Sequence, residues 1–132
     1  MDLLFIAIMW VESRGDVSAI GDGGRSRGPF QISRAYWRDA VKQLEREGDL
    51  GWGSYDYKRD VRKVRKCEVI VRAYWRRWCP DAYVARDFET LARVHNGGPR
   101  GAGKEATVAY WRKVRRVMKR LERRKAERGD DV

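Results

Sequence analysis

Two carboxylates near the start of the chain have the setting that glycoside cleavage requires. Glu12 ends an almost wholly apolar segment, residues 3–11, and Asp22 follows within a glycine-rich turn. Burial beside apolar residues raises a carboxyl pKa, which keeps an acid protonated, whereas a carboxylate on a polar turn stays ionised. Such a pair cleaves glycosidic bonds, one group protonating the leaving oxygen and the other acting at the anomeric carbon. The sequence therefore predicts a glycosidase that uses Glu12 and Asp22.

Each carboxylate also has an ordinary structural interpretation. Glu12 could be a solvent-facing residue at a frayed helix end, and Gly-Asp-Gly-Gly around Asp22 is common turn chemistry. Asp16 is a third acid nearby, and we interpret it as a helix cap or loop residue. The catalytic interpretation is favoured by the combination of an acid-terminated apolar segment, a Gly/Asp turn and the cluster at 96–99 far downstream.

Hydrophobic periodicity predicts a predominantly α-helical α+β domain with one small β-hairpin. Asp2 is expected to cap a first helix that ends near Arg14 and, being apolar on every face, lies at the centre of the core. The glycine-rich residues 15–32 predict the hairpin. The other expected elements are a helix over 33–46 capped by Ser33, a loop over 48–58, a helix from Asp60 to Trp78 ended by Pro80, a helix near 88–94 stopped at 96–99, and a helix over 106–128.

The composition indicates one domain, residues 1–132, with a basic helical tail from about 122. Thirty Lys and Arg against 19 Asp and Glu leave a net charge of +11 and a pI of about 10.1. Such a surface attracts polyanions, whether nucleic acid, acidic lipid or the anionic polymers of a bacterial envelope. A basic helical nucleic-acid-binding protein is the rival class. It is less favoured because it gives no reason for Glu12 or the glycine turn.

Two cysteines, Cys67 and Cys79, are expected to be free thiols. If the chain between them is helical, a rise of about 1.5 Å per residue separates them by roughly 18 Å, too far for a disulfide. A bridge would require the helix to end before Cys79, which Pro80 permits.

Residues 3–11 are too short to span a bilayer, and no basic residues precede them and no cleavage site follows. A core helix is therefore predicted there, rather than a signal peptide or a membrane span.

Six short motifs occur in order along the chain: Glu12-Ser13, Gly28-Pro29-Phe30-Gln31-Ile32, Tyr36-Trp37-Arg38-Asp39, Val71-Arg72-Ala73-Tyr74, His95-Asn96-Gly97-Gly98-Pro99 and Tyr110-Trp111-Arg112-Lys113-Val114. Together, over about residues 9–117, they resemble the invertebrate-type (destabilase-like) lysozymes. The resemblance implies a lysozyme-like fold and a bacteriolytic, antimicrobial muramidase, which cleaves the β-1,4 bond between N-acetylmuramic acid and N-acetylglucosamine in peptidoglycan. Those lysozymes are dense in disulfides, and the two cysteines here point to a bacterial or phage relative.

The resemblance also implies roles for single residues. Glu12 corresponds to the general acid and Asp22 to the nucleophile or stabiliser. The residues placed around the glycan cleft are Gln31, His95, Asn96, Gly97, Gly98 and Tyr110. The lone histidine, His95, either bonds a sugar or orders the cleft wall, unless it is simply a helix C-terminal residue favoured by the helix dipole.

The front half of the chain is also similar to lytic transglycosylases, through Glu12-Ser13, Ala19, Gly28, Gln31 and the later Asn96-Gly97-Gly98. Those enzymes use one glutamate and form an anhydro sugar, whereas an ionised Asp22 near the glycosidic carbon favours hydrolysis.

We predict no cofactor, because the sequence has neither metal-ligand spacing nor a phosphate-binding glycine motif. The expected partners are peptidoglycan glycan strands and, through the basic surface, anionic envelope polymers. Such an enzyme acts on the cell wall, in the periplasm or outside the cell. Isopeptidase activity, credited to some relatives, is not favoured.

Overall fold

Seven α helices and a small sheet make up the part of the chain that the computed structural model describes, residues 1–49 and 55–129. The helices are α1 (Asp2–Ser13), α2 (Arg34–Arg46), α3 (Tyr57–Asp60), α4 (Val64–Trp78), α5 (Pro80–Ala85), α6 (Phe88–Gly97) and α7 (Ala106–Glu127). The strands are β1 (Ile20–Gly21), β2 (Ser26–Arg27) and β3 (Ile32–Ser33). The predicted α+β class, mostly helical, is confirmed.

The three strands form an antiparallel sheet in the order β1-β2-β3. Arg27 lies opposite Ile20 on one side and opposite Ile32 on the other. The predicted hairpin corresponds to β1–β2, with a 3₁₀ turn over Asp22–Gly24 at its tip. A second reversal over residues 28–31 then brings β3 to the far side of β2, where the chain enters α2.

Gly28 is required where the sheet meets the helical part of the protein. Its φ of 80° lies in the left-handed region, and a Cβ there would collide with the carbonyl oxygen of Val61. Only glycine combines that φ with so close an approach of two backbone segments. Its amide also donates to the Ala19 carbonyl at 2.9 Å, which closes the hairpin.

The core is built around α1 and α4. Leu4 and Ile8 of α1 are fully buried, and Phe5 lies with its ring centroid 5.5 Å from that of Trp75. The indole nitrogen of Trp75 donates to the Leu91 carbonyl at 2.9 Å, so this large buried side chain leaves no polar atom unpaired. Helix α1 packs along α7, and α2 packs along α4.

Helix α1 differs from its prediction in two respects. It is not buried on every face, since Ile6 and Trp10 are each 44% exposed. The neighbouring helices, chiefly α7, cover only part of its circumference. In addition, Met1 and not Asp2 occupies the N-cap position, and no side chain caps the helix there.

The predicted ends of α2, α6 and α7 are close to the observed ones. The Ser33 hydroxyl accepts a hydrogen bond from the Tyr36 amide at 3.1 Å, so the predicted cap of α2 is confirmed. Helix α6 ends within the 96–99 cluster, with Gly98 as its C-cap, and α7 ends at Glu127.

The prediction that Asp60 opens the long fourth helix is wrong. Asp60 ends the short helix α3, and α4 starts only at Val64. The Asp60 carboxylate is fully buried and accepts from the Trp37 indole nitrogen at 3.2 Å and the Asp56 amide at 3.0 Å. The carboxylate is therefore bonded to these groups, and the N-cap position of α4 is occupied by Lys63. The loop predicted over 48–58 lies partly outside the described residues, and its last two residues belong to α3.

Helix α4 ends at Trp78, as predicted, and Pro80 then begins a short helix that was not predicted. Cys67 and Cys79 are free, which confirms the expectation of unpaired thiols. Burial raises the pKa of Cys67 to about 12 and that of Cys79 to about 11, so both stay protonated and unreactive at neutral pH. Within the described ranges, none of the helices is both long and apolar enough to cross a membrane.

Candidate active site

A cleft of about 800 Å³ lies between the sheet and helices α1, α2, α4 and α6. Six of the eight site residues predicted from the sequence line it: Glu12, Asp22, Gln31, His95, Asn96 and Gly98. These residues come from five different elements or turns. The fold therefore gathers residues from both ends of the chain into one concave surface.

Glu12 lies in the last turn of α1, and its side chain is 16% exposed. Its Oε2 accepts a hydrogen bond from the Tyr110 hydroxyl at 3.0 Å and lies 3.3 Å from Nε2 of His95. Neither contact uses Oε1. Because Oε2 accepts from the Tyr110 hydroxyl, the proton of a neutral Glu12 carboxyl belongs on Oε1, the oxygen left for a ligand.

The hydrogen bonds of His95 define its tautomer. Its Nε2 lies 3.0 Å from the Phe30 carbonyl oxygen, which can only accept, so Nε2 carries a proton. Its Nδ1 lies 2.8 Å from the Tyr36 hydroxyl. Burial, reinforced by the neighbouring Tyr74, raises the pKa of Tyr36 well above its ordinary value, so this hydroxyl keeps its proton. The buried His95 ring orders the cleft wall in this structure.

Tyr110 and Gly97 do not line the cleft, contrary to the prediction. Tyr110 is buried in α7 against Glu12, and burial, followed by the charge of Glu12, raises the pKa of Tyr110 well above its ordinary value. The hydroxyl therefore remains a donor to Glu12. Gly97 faces α7, where an added Cβ would lie 2.5 Å from the Thr107 methyl group. Close packing of α6 on α7 explains that glycine.

Asp22 is held on the sheet side of the cleft. Its backbone has a φ of 51°, in the left-handed region that aspartate tolerates better than most residues. Its Oδ2 accepts a hydrogen bond from the Ser26 hydroxyl at 2.7 Å. Its main-chain carbonyl accepts from the Arg25 guanidinium at 3.0 Å. The turn and these two bonds fix the carboxylate in the cleft.

Gln31 supports the loop that carries Asp22. Its side-chain nitrogen donates to the carbonyls of Ala19 at 3.3 Å and Gly28 at 3.0 Å. Its side-chain oxygen lies where a Cβ on Gly21 would be, so the loop closes directly over this amide. Gln31 lines the cleft, and its side-chain nitrogen is bonded to the main chain.

Several cleft residues were not predicted from the sequence as site residues: Arg25, Ser26, Tyr36, Asp39 and Tyr74. The rings of Tyr36 and Tyr74 stack with centroids 3.6 Å apart and planes 6° from parallel. Both tyrosines lie on the apolar stripes of their helices, where a cleft residue has the same spacing as a core residue. Their only distinguishing signal is that each belongs to one of the six motifs.

Tyr110→Phe tests whether the hydroxyl orients Glu12. We expect kcat on a soluble oligosaccharide to fall about 10–100-fold with little change in KM, since a hydrogen bond to a charged group contributes about 1.5–3 kcal/mol. Steady-state kinetics measures both constants. Tyr83→Phe is the matched control, because the Tyr83 hydroxyl contacts Arg72 outside the cleft. Equal losses in the two variants, or a loss confined to KM, would contradict this role for Tyr110.

The described ranges, 1–49 and 55–129, contain no group of three or more His, Cys, Asp or Glu residues placed to hold a metal ion. Of the three carboxyl groups in the cleft, those of Glu12 and Asp22 lie in unlike settings. Glu12 is largely buried and held through one oxygen, whereas Asp22 is on a polar turn. Carboxyl groups in unlike settings are what catalysis by an acid and an ionised partner requires.

Comparison with known proteins matches residues 6–117 to the Destabilase family. A lysozyme of Magallana gigas is 36% identical over 89 residues, which cover 67% of this chain and 58% of the relative. Lysozyme 1 of Crassostrea virginica is 35% identical, over 67% of this chain and 43% of its own. The chain therefore spans about half the length of these two relatives. A lysozyme of Meretrix lusoria is 32% identical over 72% of this chain and 70% of its own.

Two solved structures have a similar fold. One is a chain in the crystal structure of Aeromonas hydrophila PliI in complex with Meretrix lusoria lysozyme, with a TM-score of 0.69 and 29% identity over 88% of each chain. The other is Tapes japonica lysozyme, with a TM-score of 0.67 and 28% identity over 86% of this chain and 87% of its own.

Proposed function

The chain belongs to the destabilase family, as its six motifs predicted, and we propose that it is a muramidase in which Glu12 is the general acid. Its lysozyme-like fold provides the cleft. The proposal rests on the contacts of the Glu12 carboxyl. The Tyr110 hydroxyl donates to Oε2, Nε2 of His95 lies 3.3 Å from the same oxygen, and the cleft that Glu12 lines also contains Asp22.

In the first step, Glu12 donates the proton on Oε1 to the oxygen of the glycosidic bond. The bond from that oxygen to the anomeric carbon breaks, and Glu12 becomes a carboxylate. Hydrogen bonds to a charged acceptor are stronger than those to a neutral one. The hydrogen bond from Tyr110 to Oε2 therefore strengthens as the proton leaves, which stabilises the transition state more than the ground state.

Asp22 acts on the other side of the reaction. Its carboxylate stabilises the positive charge that develops on the sugar ring, or attacks the anomeric carbon to form a glycosyl ester. Water then attacks the anomeric carbon and gives its proton to Glu12, and where an ester has formed, its bond to Asp22 breaks and the carboxylate is released. The Ser26 hydroxyl holds Oδ2, so Oδ1 is the oxygen that faces the reacting carbon.

The remaining cleft residues are proposed to bind peptidoglycan glycan strands. The Asn96 side chain has both donors and an acceptor for the N-acetyl and hydroxyl groups of the sugars. The stacked rings of Tyr36 and Tyr74 form a rigid wall, and Gln31 and Gly98 shape the neighbouring surface. Orienting the sugar against rigid residues reduces the entropic cost of reaching the transition state.

The proposal is tested by digesting purified peptidoglycan sacculi and reducing the soluble products with borohydride. A muramidase exposes the reducing end of N-acetylmuramic acid, so we expect the reduced form of that sugar. Reduced glucosamine would indicate cleavage of the other glycosidic bond. No released fragments at all would contradict enzymatic cleavage and favour the nucleic-acid-binding alternative.

We further propose that the basic outer face of α7 attracts anionic envelope polymers. The helix carries nine Lys and Arg against two Glu, and its last turns are exposed, apart from the half-buried Leu121. Attraction of this kind acts through screened surface charge. It would concentrate the enzyme on the cell wall without taking part in bond cleavage.

Replacing Arg123, Arg124 and Lys125 with glutamine tests the electrostatic role. We expect weaker lysis of whole cells at low salt, with the difference fading as the Debye length falls from about 30 Å at 0.01 M to about 8 Å at 0.15 M. Turnover of a short neutral chitooligosaccharide should barely change, because that substrate carries no charge. Equal loss of both activities in a folded triple variant would place this part of α7 in the active site and contradict the division of roles.

A further inference from the structure

A second concave site lies between α1 and α7, away from the cleft. It encloses about 230 Å³. Four cationic side chains line it, Arg14, Lys113, Arg116 and Arg120, together with the indole of Trp10. The cleavage reaction proposed for the cleft uses no residue of this groove.

The four cations of the groove have no anionic partner within the protein. None of them forms an ion pair or a hydrogen bond with any residue in the described part of the chain, and Arg14 contacts only the Trp10 ring, 5.3 Å from its centroid. By contrast, Arg76 is paired with Glu47 at 2.8 Å. Like charges placed together repel one another, so the groove is complementary to an anionic ligand.

The groove also has an apolar component that a soluble polyanion would not require. Trp10 is 44% exposed, and Ile6, one helical turn earlier on the same side of α1, is equally exposed. Tryptophan favours the membrane–water interface because its ring is apolar while its N–H can bond to polar headgroups. Exposed apolar side chains beside unpaired cations are typical of surfaces that bind anionic bilayers.

We propose that the α1–α7 groove binds the phosphate headgroups of an anionic phospholipid membrane, with Trp10 inserted at the interface. Successive residues of an α helix are rotated by about 100°, so Trp10 lies about 200° around α1 from Glu12. The groove and the cleft therefore open on nearly opposite sides of this helix. A protein bound to the membrane through the groove keeps its cleft open to the solvent. This inference goes beyond the proposed muramidase activity and does not depend on it.

Sedimentation with sucrose-loaded vesicles tests the proposal. The vesicles are either equimolar phosphatidylglycerol and phosphatidylcholine or phosphatidylcholine alone. The groove variant carries Arg14→Gln, Lys113→Gln, Arg116→Gln and Arg120→Gln. The matched control carries Arg38→Gln, Lys42→Gln, Arg46→Gln and Arg65→Gln, exposed cations of α2 and α4 that also lack partners in the described ranges. Both variants lose the same net charge.

We expect the wild-type protein to bind the anionic vesicles and not the neutral ones. The groove variant should lose at least about tenfold in partitioning and the control much less, since a basic side chain near an anionic surface contributes on the order of a fivefold gain. Equal losses in the two variants would show that the overall positive charge is sufficient for vesicle binding. That result would overturn the assignment of the groove as the binding site. Binding to both kinds of vesicle, or to neither, would overturn the proposal as well.

Trp10 provides a second measurement that does not require the fourfold variant to fold. Anionic vesicles should shift the fluorescence of the wild-type protein to shorter wavelength, and Trp10→Phe should remove most of that shift. An unchanged shift would overturn insertion of Trp10.

Soluble polyphosphate and duplex DNA are the competing ligands. If either binds as tightly as the vesicles, with the same dependence on the four cations and none on Trp10, the occupant is a soluble polyanion and the membrane assignment is wrong. Turnover of a neutral chitooligosaccharide by these variants reports separately on the cleft.

Discussion

Glu12→Gln is expected to lower kcat on peptidoglycan by about 10²–10⁴-fold, the usual contribution of a positioned general acid. The amide preserves the shape of the side chain and its oxygen can still accept from Tyr110. It has no acidic proton to give to the glycosidic oxygen. Initial rates of sacculus solubilisation, with thermal unfolding as a check on the fold, provide the measurement.

Glu45→Gln is the matched control for this prediction. Glu45 is exposed on α2, and its side chain has no hydrogen bond or ion pair within the described part of the chain. The same chemical change there should leave the rate unchanged. A folded Glu12→Gln protein that retains full lytic activity would remove Glu12 from the mechanism.

Asp22→Asn is expected to cost about 10²–10³-fold in kcat, comparable to removing a preorganised electrostatic group from an active site. Asparagine tolerates the left-handed backbone of this position, where φ is 51°, so the turn should persist. The amide oxygen can also still accept from Ser26. The variant therefore removes the negative charge with little change in the loop, and kcat on a soluble oligosaccharide is the quantity to compare.

Asp39→Asn distinguishes a specific role of Asp22 from a general effect of negative charge. Asp39 lines the same cleft but has no proposed part in bond cleavage. We expect this control to have a much smaller effect than Asp22→Asn. If Asp22→Asn retained full activity while Glu12→Gln was inactive, the one-carboxylate mechanism of the transglycosylases would be favoured.

Features encoded by neighbouring residues could be predicted from the sequence. Ser33 caps α2 because its hydroxyl reaches an amide three residues later, and the 96–99 cluster ends α6 because glycine and proline cannot continue it. Glu12 was recognised because the apolar segment before it suggests a buried setting. In each case, the physical cause lies within one or two helical turns of the residue concerned.

The contacts that position the Glu12 carboxyl could not be predicted in the same way. Tyr110 lies 98 residues from Glu12, and His95 lies 65 residues from Phe30 and 59 from Tyr36. Sequence spacing carries no information about contacts between helices packed at such separations. The motif resemblance placed Tyr110 and His95 around the cleft, without showing that both contact Glu12. Their observed contacts make them supports of the Glu12 carboxyl.

Asp60 illustrates a local signal that tertiary structure overrides. An aspartate before an apolar helical pattern is a typical N-cap, which is why it was expected to begin the long helix. The Trp37 indole, 23 residues earlier, draws the carboxylate into the interior. The chain then forms α3 before α4 begins, and only the three-dimensional structure reveals that competing partner.

Mass spectrometry of peptidoglycan fragments, produced in water enriched in the heavy oxygen isotope, tests the central claim most directly. Hydrolysis adds the oxygen of water to the anomeric carbon of N-acetylmuramic acid. Transglycosylation instead closes that carbon onto the sugar's own 6-hydroxyl and incorporates no water. The mechanism proposed for Glu12 and Asp22 predicts fragments that end in N-acetylmuramic acid with one heavy oxygen at the reducing end. Unlabelled fragments ending in 1,6-anhydro-N-acetylmuramic acid would contradict it.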